Sequence, residues 1–399
     1  MFSTYVGDSK IQKLAKKIFY DQLHRIITKD GFLREGSSHY HFLFLRWLLE
    51  VLYFSNKFKD DSFSQYLKIY IFNLTKNSNH FLYKNSDEIL SISLFGDISP
   101  DFEPEWLASL IHSNIIPFKI NSFSKYNLPT YSWNNLWDDD EKTNIFSDQL
   151  IDIKLNNINH LYPRSGWYFL NNFKTKILIR ADKKSIQNNV GHYNQDLFHI
   201  NISLNETPFL ISLGRLNYNF SDNLGQKGIF SKSHNSISIN NLSYLPNKVN
   251  YFPIEYCQSE NNITYNENDN ELTIISNCFK RINKSIIVSR KITLSDEYIN
   301  IQDIVEGSGE YLITRFFYFH HKFTLNSSKI ISTNKRVLEF VNNENIFYFE
   351  IHGEDVKDIK ISILDKNKEV YSYGKYHECI GIKLENNKKL PSFYNIKIR

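Results

Sequence analysis

Cysteine, charge imbalance and long apolar runs are all scarce in this sequence, and each scarcity excludes a class of protein. Only three cysteines occur, Cys257, Cys278 and Cys379, far apart and without CxxC spacing. That pattern argues against a zinc ribbon or a disulfide scaffold, and buried free thiols are the expectation. Lys and Arg number 47 against 43 Asp and Glu, a formal net charge of +4. So small an excess gives no global attraction for nucleic acid, although a local basic cleft for a polyanionic sugar is compatible with it. No apolar run approaches the roughly 20 residues that a membrane-spanning helix needs. Met1 to Gln12 holds no hydrophobic stretch of the kind that marks a secretory signal, so no export signal is read here.

What is present points to a folded globular chain. Hydrophobic residues make up 41% and aromatics 15% of 399 residues, enough for a large core and two or three domains. The first third reads as helical. Asp8 or Ser9 can cap a helix from Lys10 to about Thr28, with Ile11, Leu14, Ala15, Ile18 and Leu23 at helical spacing. Ser37 or Ser38 opens a second helix, apolar around much of its circumference, and a third spans about Ser62 to Asn77. A fourth starts at Glu103-Pro104-Glu105, with acids where the helix dipole favours them.

From about Ser122 the pattern changes to short runs rich in Ile, Tyr, Phe and Val, separated by Asn, Ser, Asp and Gly clusters. Such regular short strands argue for a large antiparallel sandwich. The expected fold class is therefore α+β, with a helical domain over 1–120 and a sandwich over 121–399, the boundary lying between Pro117 and Trp133. One strand, Phe198 to Leu204, alternates strictly. Phe198, Ile200, Ile202 and Leu204 should face the core, leaving His199, Asn201 and Ser203 outward. Just before it stands Gly191-His192-Tyr193-Asn194-Gln195-Asp196, a glycine-flanked histidine at a sheet margin. Arg180, Arg215 and Arg315 are residues that could clamp carboxylates bidentately.

Several ordered motifs resemble the heparinase II/III-like polysaccharide lyases. The family writes Gly-His-x-His-x-Asp, an alternating strand, then Val-Asp-x-Gly; this chain has Gly191 to Asp196, its strand, and Leu210-Ile211-Ser212-Leu213-Gly214. Pro163-Arg164-Ser165-Gly166, His234-Asn235, Arg290-Lys291 with Ile301-Gln302-Asp303-Ile304-Val305, and Arg315 to His320 resemble later parts of the same domain. In the helical half, Asp30-Gly31 through Glu35, Ser37, Tyr40 and His41 resembles the Asp-Gly…Glu-x-Ser-x-x-Tyr-His segment of an α/α toroid. Phe95-Gly96-Asp97 resembles the Gly-Asp turn that follows it.

The resemblance implies a partial α/α toroid followed by a sandwich, meeting at a cleft that holds an acidic polysaccharide. It also implies β-elimination. That reaction neutralises a uronate carboxylate, removes the weakly acidic C5 proton and protonates the departing C4 oxygen. Tyr40 matches the catalytic tyrosine, a group suited to proton transfer if cationic neighbours lower its pKa from about 10. His192 matches the cleft histidine and is the candidate partner. Arg34, His39, His41, His199 and His234 are candidate substrate-binding residues. In zinc-bearing members the ligands fall at positions occupied here by Asn194, Ser212 and His234. Asparagine and serine are poor zinc ligands, so no metal and no other cofactor are expected, and His234 reads as a hydrogen-bonding structural residue. Asp196 reads as a turn or strand cap.

Two features depart from the pattern. Nothing between Met1 and Asp30 matches the family's carboxylate-neutralising Asn, and three or four helices cannot close a toroid. Helices as apolar as Phe42 to Tyr53 would leave an exposed patch unless covered. The preferred expectation is a C-terminal portion of a longer protein; a self-dimer or partner chain, or loss of catalysis, is the alternative. Such lyases work in the periplasm or outside the cell. A non-catalytic glycan-binding or assembly role at cell-surface polysaccharide is the competing functional class.

Overall fold

The computed structural model describes residues 7–84, 90–112, 158–184, 192, 194–219, 228–246, 253–342, 345–353 and 356–399. The chain divides into two compact units, Met1–Lys154 and Leu155–Arg399. The boundary expected between Pro117 and Trp133 lies outside the described residues.

In the N-terminal unit the expected helices form as α1 (Ser9–Ile26), α2 (Ser38–Lys57), α3 (Asp61–Ser78) and α4 (Pro104–His112). Between the last two, β1 (Leu82–Lys84) and β2 (Leu90–Ile92) pair antiparallel. The caps explain the helix starts. The Asp8 carboxylate accepts from the Lys10 and Ile11 amides at 3.0 and 3.1 Å, satisfying two otherwise orphaned donors. Ser37 does the same for the Tyr40 amide at 3.1 Å. Between α1 and α2 the chain reverses at Gly31, whose φ is +85°. A Cβ there would stand 2.7 Å from the Asn77 side-chain nitrogen, so glycine is required twice over. Phe42, Leu43, Leu45, Leu48 and Leu52 of α2 are buried together with Leu67, Ile71 and Leu74 of α3. The apolar stripe of α1 behaves differently: Leu23 is buried, but Ile11, Leu14 and Ile18 are 49%, 58% and 52% exposed. Local capping and periodicity suffice to make the helix, whereas burial needs a facing surface.

The C-terminal unit is an antiparallel β-sandwich. Its first strands, β3 (His160–Tyr162), β4 (Trp167–Asn171), β5 (Thr175–Arg180), β6 (Ile200–Leu204) and β7 (Thr207–Leu210), form a five-stranded sheet in chain order. The rest are β8 (Ile237–Ile239), β9 (Asn261–Asn266), β10 (Glu271–Ser276), β11 (Ile287–Leu294), β12 (Ile299–Glu306) and β13 (Glu310–Tyr318). They continue as β14 (Thr324–Ser332), β15 (Lys335–Asn342), β16 (Asn345–His352), β17 (Lys360–Ser372), β18 (Lys375–Lys389) and β19 (Ser392–Ile398). These make an eight-stranded sheet, β14-β15-β16-β19-β12-β11-β10-β9, and a four-stranded sheet, β17-β18-β13-β8. One apolar core draws on all three sheets, including Ile177 and Ile202, Ile292 and Ile301, and Ile313 and Ile382. Strands β11 and β12 alternate buried and part-exposed residues, as half-covered strands should.

Strand β6 corrects an expectation. Phe198, Ile200, Ile202 and Leu204 are buried as anticipated, but His199, Asn201 and Ser203 are buried too, at 0%, 8% and 7% exposure. The strand lies between β5 and β7 and is covered on both faces, which period-two alternation alone does not reveal.

At the centre of the sandwich sits a buried charge cluster. Arg290 on β11 pairs in register with Asp303 on β12. Its guanidinium holds both carboxylate oxygens, at 2.6 and 2.7 Å, and Arg315 of β13 reaches the same carboxylate at 3.2 Å. All three side chains are at most 1% exposed. Arg290 also donates to the carbonyls of Phe198 and Asn235. Asn235 in turn donates to the carbonyls of Ile200 and Ile211 at 2.7 and 3.1 Å and accepts from the Tyr318 amide at 2.7 Å. Arg315 is therefore an internal tie and not a substrate clamp. Arg180 is likewise buried against Asp182, at 2.6 Å. The three cysteines are buried free thiols. Among the described residues no helix is long and apolar enough to cross a membrane.

Removing one member of a buried ion cluster strands the others. Asp303→Ala is expected to lower unfolding free energy by about 3–5 kcal/mol in urea titration. Lys291→Ala, which breaks the exposed pair with Glu271, should cost under about 1 kcal/mol. Equal, small effects from both would contradict the central role of the cluster.

Candidate functional site

Tyr40 lies in the first turn of α2 and is half-buried. A turn from the Phe95-Gly96-Asp97 segment docks on that helix end. The Ser38 amide donates to the Phe95 carbonyl and the Phe95 amide to the Ser38 hydroxyl, both at 3.0 Å, while Ser37 donates to the Asp97 carbonyl at 2.6 Å. The two histidines beside Tyr40 point inward. His39 accepts from the Ser99 amide at Nδ1, 3.2 Å, and donates from Nε2 to the Phe102 carbonyl, 2.9 Å. His41 accepts from the Leu33 amide at Nδ1, 3.3 Å, and its Nε2 faces the Leu74 carbonyl at 3.1 Å. Burial drives both rings down to about 4, so they are neutral with fixed tautomers. The expectation that His39 and His41 contact substrate is thus corrected. They fix the helix turn that carries Tyr40. Arg34 is exposed.

His192 stands in the C-terminal unit, half-buried, with its ring 6.2 Å from that of Tyr218. The Arg215 guanidinium lies 4.5 Å over the Tyr218 ring, and the Tyr373 ring is 5.5 Å from that of Tyr218. Tyr373 accepts from the Tyr218 amide through its hydroxyl at 3.1 Å. The β17–β18 hairpin that carries Tyr373 is fastened to this segment: the Val370 amide donates to Leu213 at 2.8 Å and the Gly374 amide to Leu216 at 2.9 Å. Arg215 itself is buried and donates from Nε to the Asn217 carbonyl at 3.1 Å, so it is corrected from a carboxylate clamp to a support beneath Tyr218. His192, Tyr218 and Tyr373 are the partly exposed polar groups of the cluster. Tyr218 and Tyr373 escaped the sequence reading because 155 positions separate them and neither sits in a motif. Gly191 lies outside the described residues.

The positions that would ligate a metal in the resembled family are Asn194, Ser212 and His234. Asn194 is fully buried, and Ser212 and His234 are in direct contact, hydroxyl to Nδ1 at 2.9 Å. The Gly214 amide donates to that hydroxyl at 3.2 Å, which leaves its proton for His234 Nδ1. One imidazole, one amide and one hydroxyl already bonded to that imidazole do not form a zinc donor set. Burial holds His234 at about 4. His199, whose ring centre is 5.2 Å from that of His234, accepts from the Asn235 amide at 3.0 Å and donates to Asn201 at 2.8 Å. Burial, His234 and the Arg290 charge keep its pKa well below the ordinary histidine value. His199 and His234 are therefore corrected from substrate contacts to internal members of the sheet junction.

These histidines make stability depend on pH in a defined direction. Their folded pKa values lie below the unfolded value of 6.5, so acid favours the unfolded chain, which binds the protons first. The stability they supply is complete above pH 6.5 and is lost as pH falls toward 4, by up to about 3 kcal/mol for each ring. Urea titrations should show the decline beginning near pH 6.5, above the range where carboxylates titrate, and a flatter profile for His41→Gln. A flat profile down to pH 5 in the unaltered protein would contradict this.

A family model described as heparinase II/III-like, C-terminal, matches residues 156–383. A search of curated proteins gives no match. Among solved structures, a heparinase III is similar with a TM-score of 0.69 at 15% identity, over 96% of this chain and 56% of that one. A second heparinase III gives 0.63 at 13% identity, over 97% and 55%. A heparan sulfate lyase from Pedobacter heparinus gives 0.60 at 12% identity, over 96% and 54%. The chain spans about half the length of these structures, and at such identities the likeness establishes the fold: helical toroid elements followed by a β-sandwich. With more than half of its residues under the family model, the chain belongs to the heparinase II/III-like family through its C-terminal domain.

Proposed function

We propose that the protein cleaves an acidic, uronate-containing polysaccharide by β-elimination. The observation that carries this reading is the family match over 156–383, joined to a fold likeness that extends across 96% of the chain. The residues proposed to take part in proton transfer are Tyr40 in the N-terminal unit and His192 in the C-terminal unit. In the reaction a base takes the C5 proton, the C4–O bond breaks, a C4=C5 double bond forms, and the departing oxygen receives a proton. Two features of the N-terminal unit support Tyr40. Its backbone is pinned by Ser37, and the flanking rings of His39 and His41 are anchored, so the phenol is held on a rigid element. For His192, the support is the neighbouring pair of partly exposed phenols, Tyr218 and Tyr373, with the buried Arg215 charge beneath Tyr218, a polar setting suited to a sugar.

A second reading has its own observation. Asn194 and Ser212 replace metal-ligand positions of the family, which favours a non-catalytic, glycan-binding member. The two are separated by incubating the full natural chain with a panel of uronate polymers and following absorbance of the unsaturated product. Turnover that falls by about 100-fold or more in Tyr40→Phe and in His192→Ala is the expected result. No product from any polymer, with glycan binding intact in both variants, would overturn the lyase and leave the binding protein.

A further inference from the structure

We propose that His320, His321 and Glu369 form a binding site for a divalent transition-metal ion of the zinc type. The nitrogen of each histidine and a carboxylate oxygen of Glu369 lie within 4.8 Å of one another. His320 Nε2 is 3.5 Å from one oxygen of Glu369, and His321 Nδ1 is 2.9 Å from the other. Two imidazoles and a carboxylate are a donor set that zinc accepts and that calcium or magnesium, which prefer all-oxygen shells, does not. Three protein ligands leave a fourth position for water or a ligand atom.

The backbone fixes all three. Beyond the end of β13, Phe319 bridges to Leu210, the His320 amide donates to Phe209 at 3.0 Å, and the Phe323 amide donates to the His320 carbonyl at 2.9 Å. Glu369 sits on β17 opposite His377 of β18 and accepts from the His321 amide at 2.8 Å. Glu369 and His320 are each only 7% exposed, and among the described residues the ion-pair partners of Glu369 are these two histidines. A buried carboxylate held without Lys or Arg, against two imidazoles, is an arrangement that a cation completes.

The outer contacts are compatible with ligation. The His321 ring stacks on His377 at 4.0 Å, and His377 on Tyr371 at 4.3 Å, which orients the His321 ring. The His321 side chain is 24% exposed, giving an ion a way in. Ligation by His320 Nε2 moves its proton to Nδ1 and gives up only the weak 3.4 Å contact from the Lys322 amide. None of the three coincides with Asn194, Ser212 or His234, so the site is separate from the one that the family's zinc-bearing members use.

The test is calorimetric titration of the chelator-treated full chain with Zn2+ at pH 7.5, paired with the visible spectrum of the Co2+ form. One equivalent should bind. Glu369→Gln and His321→Ala should each weaken binding by more than about tenfold. His377→Ala and His234→Ala should keep the stoichiometry. Absence of saturable binding by the unaltered chain would overturn the site. So would unchanged binding in both Glu369→Gln and His321→Ala when their thermal unfolding shows them folded.

Discussion

One buried carboxylate organises the sandwich. Asp303 is held between Arg290 on the neighbouring strand of its own sheet and Arg315 on the four-stranded sheet. Burying three charges is offset here by the bidentate Arg290–Asp303 pair and by the Tyr394 ring, 3.8 Å from the Arg315 guanidinium. Arg290 also donates to the carbonyls of Phe198 and Asn235, next to the five-stranded sheet. Asn235 then ties Ile200, Ile211 and Tyr318 with its own amide. Three sheets are thus joined by polar contacts that allow only one arrangement, which apolar packing alone does not ensure.

The same junction explains why so many motif histidines are not at the surface. His199 accepts from the Asn235 amide and lies beside His234, which is bonded to Ser212. At the positions that resemble the family's metal ligands, this chain carries a buried Asn194 and a Ser212 hydroxyl bonded to His234. In the helical unit His39 and His41 play an equivalent part, bracing the turn that presents Tyr40. What remains partly or fully exposed is a short set: Tyr40 and Arg34 in one unit, and His192 with Tyr218 and Tyr373 in the other, where the buried Arg215 lies against Tyr218. That set holds the two residues, Tyr40 and His192, on which the proposed activity is tested.

Much of the fold was legible in the sequence. Asp8, Ser37 and Pro104 marked helix starts because capping is a local effect, and the short runs rich in Ile, Tyr, Phe and Val after about Ser122 marked strands because their composition is local too. Burial was less legible. Alternation sent His199 and Asn201 outward, yet a strand flanked on both sides and covered on both faces hides every side chain. Periodicity likewise placed Ile11, Leu14 and Ile18 on one face of α1 without saying whether anything covers it. The Arg290–Asp303 pair was present in a recognised motif, but its ionic partnership depends on a register that only pairing defines. Tyr218 and Tyr373 are joined by tertiary contact alone.

The central claim is that His199 and His234 are buried, neutral rings built into the junction of the sheets. Long-range imidazole NMR spectra test it directly. His199 and His234 should each appear as one neutral tautomer, protonated at Nε2, from pH 7 to about pH 5, without change on adding Zn2+. Titration of either ring near 6.5, or a Zn2+-induced shift of His234, would contradict the account.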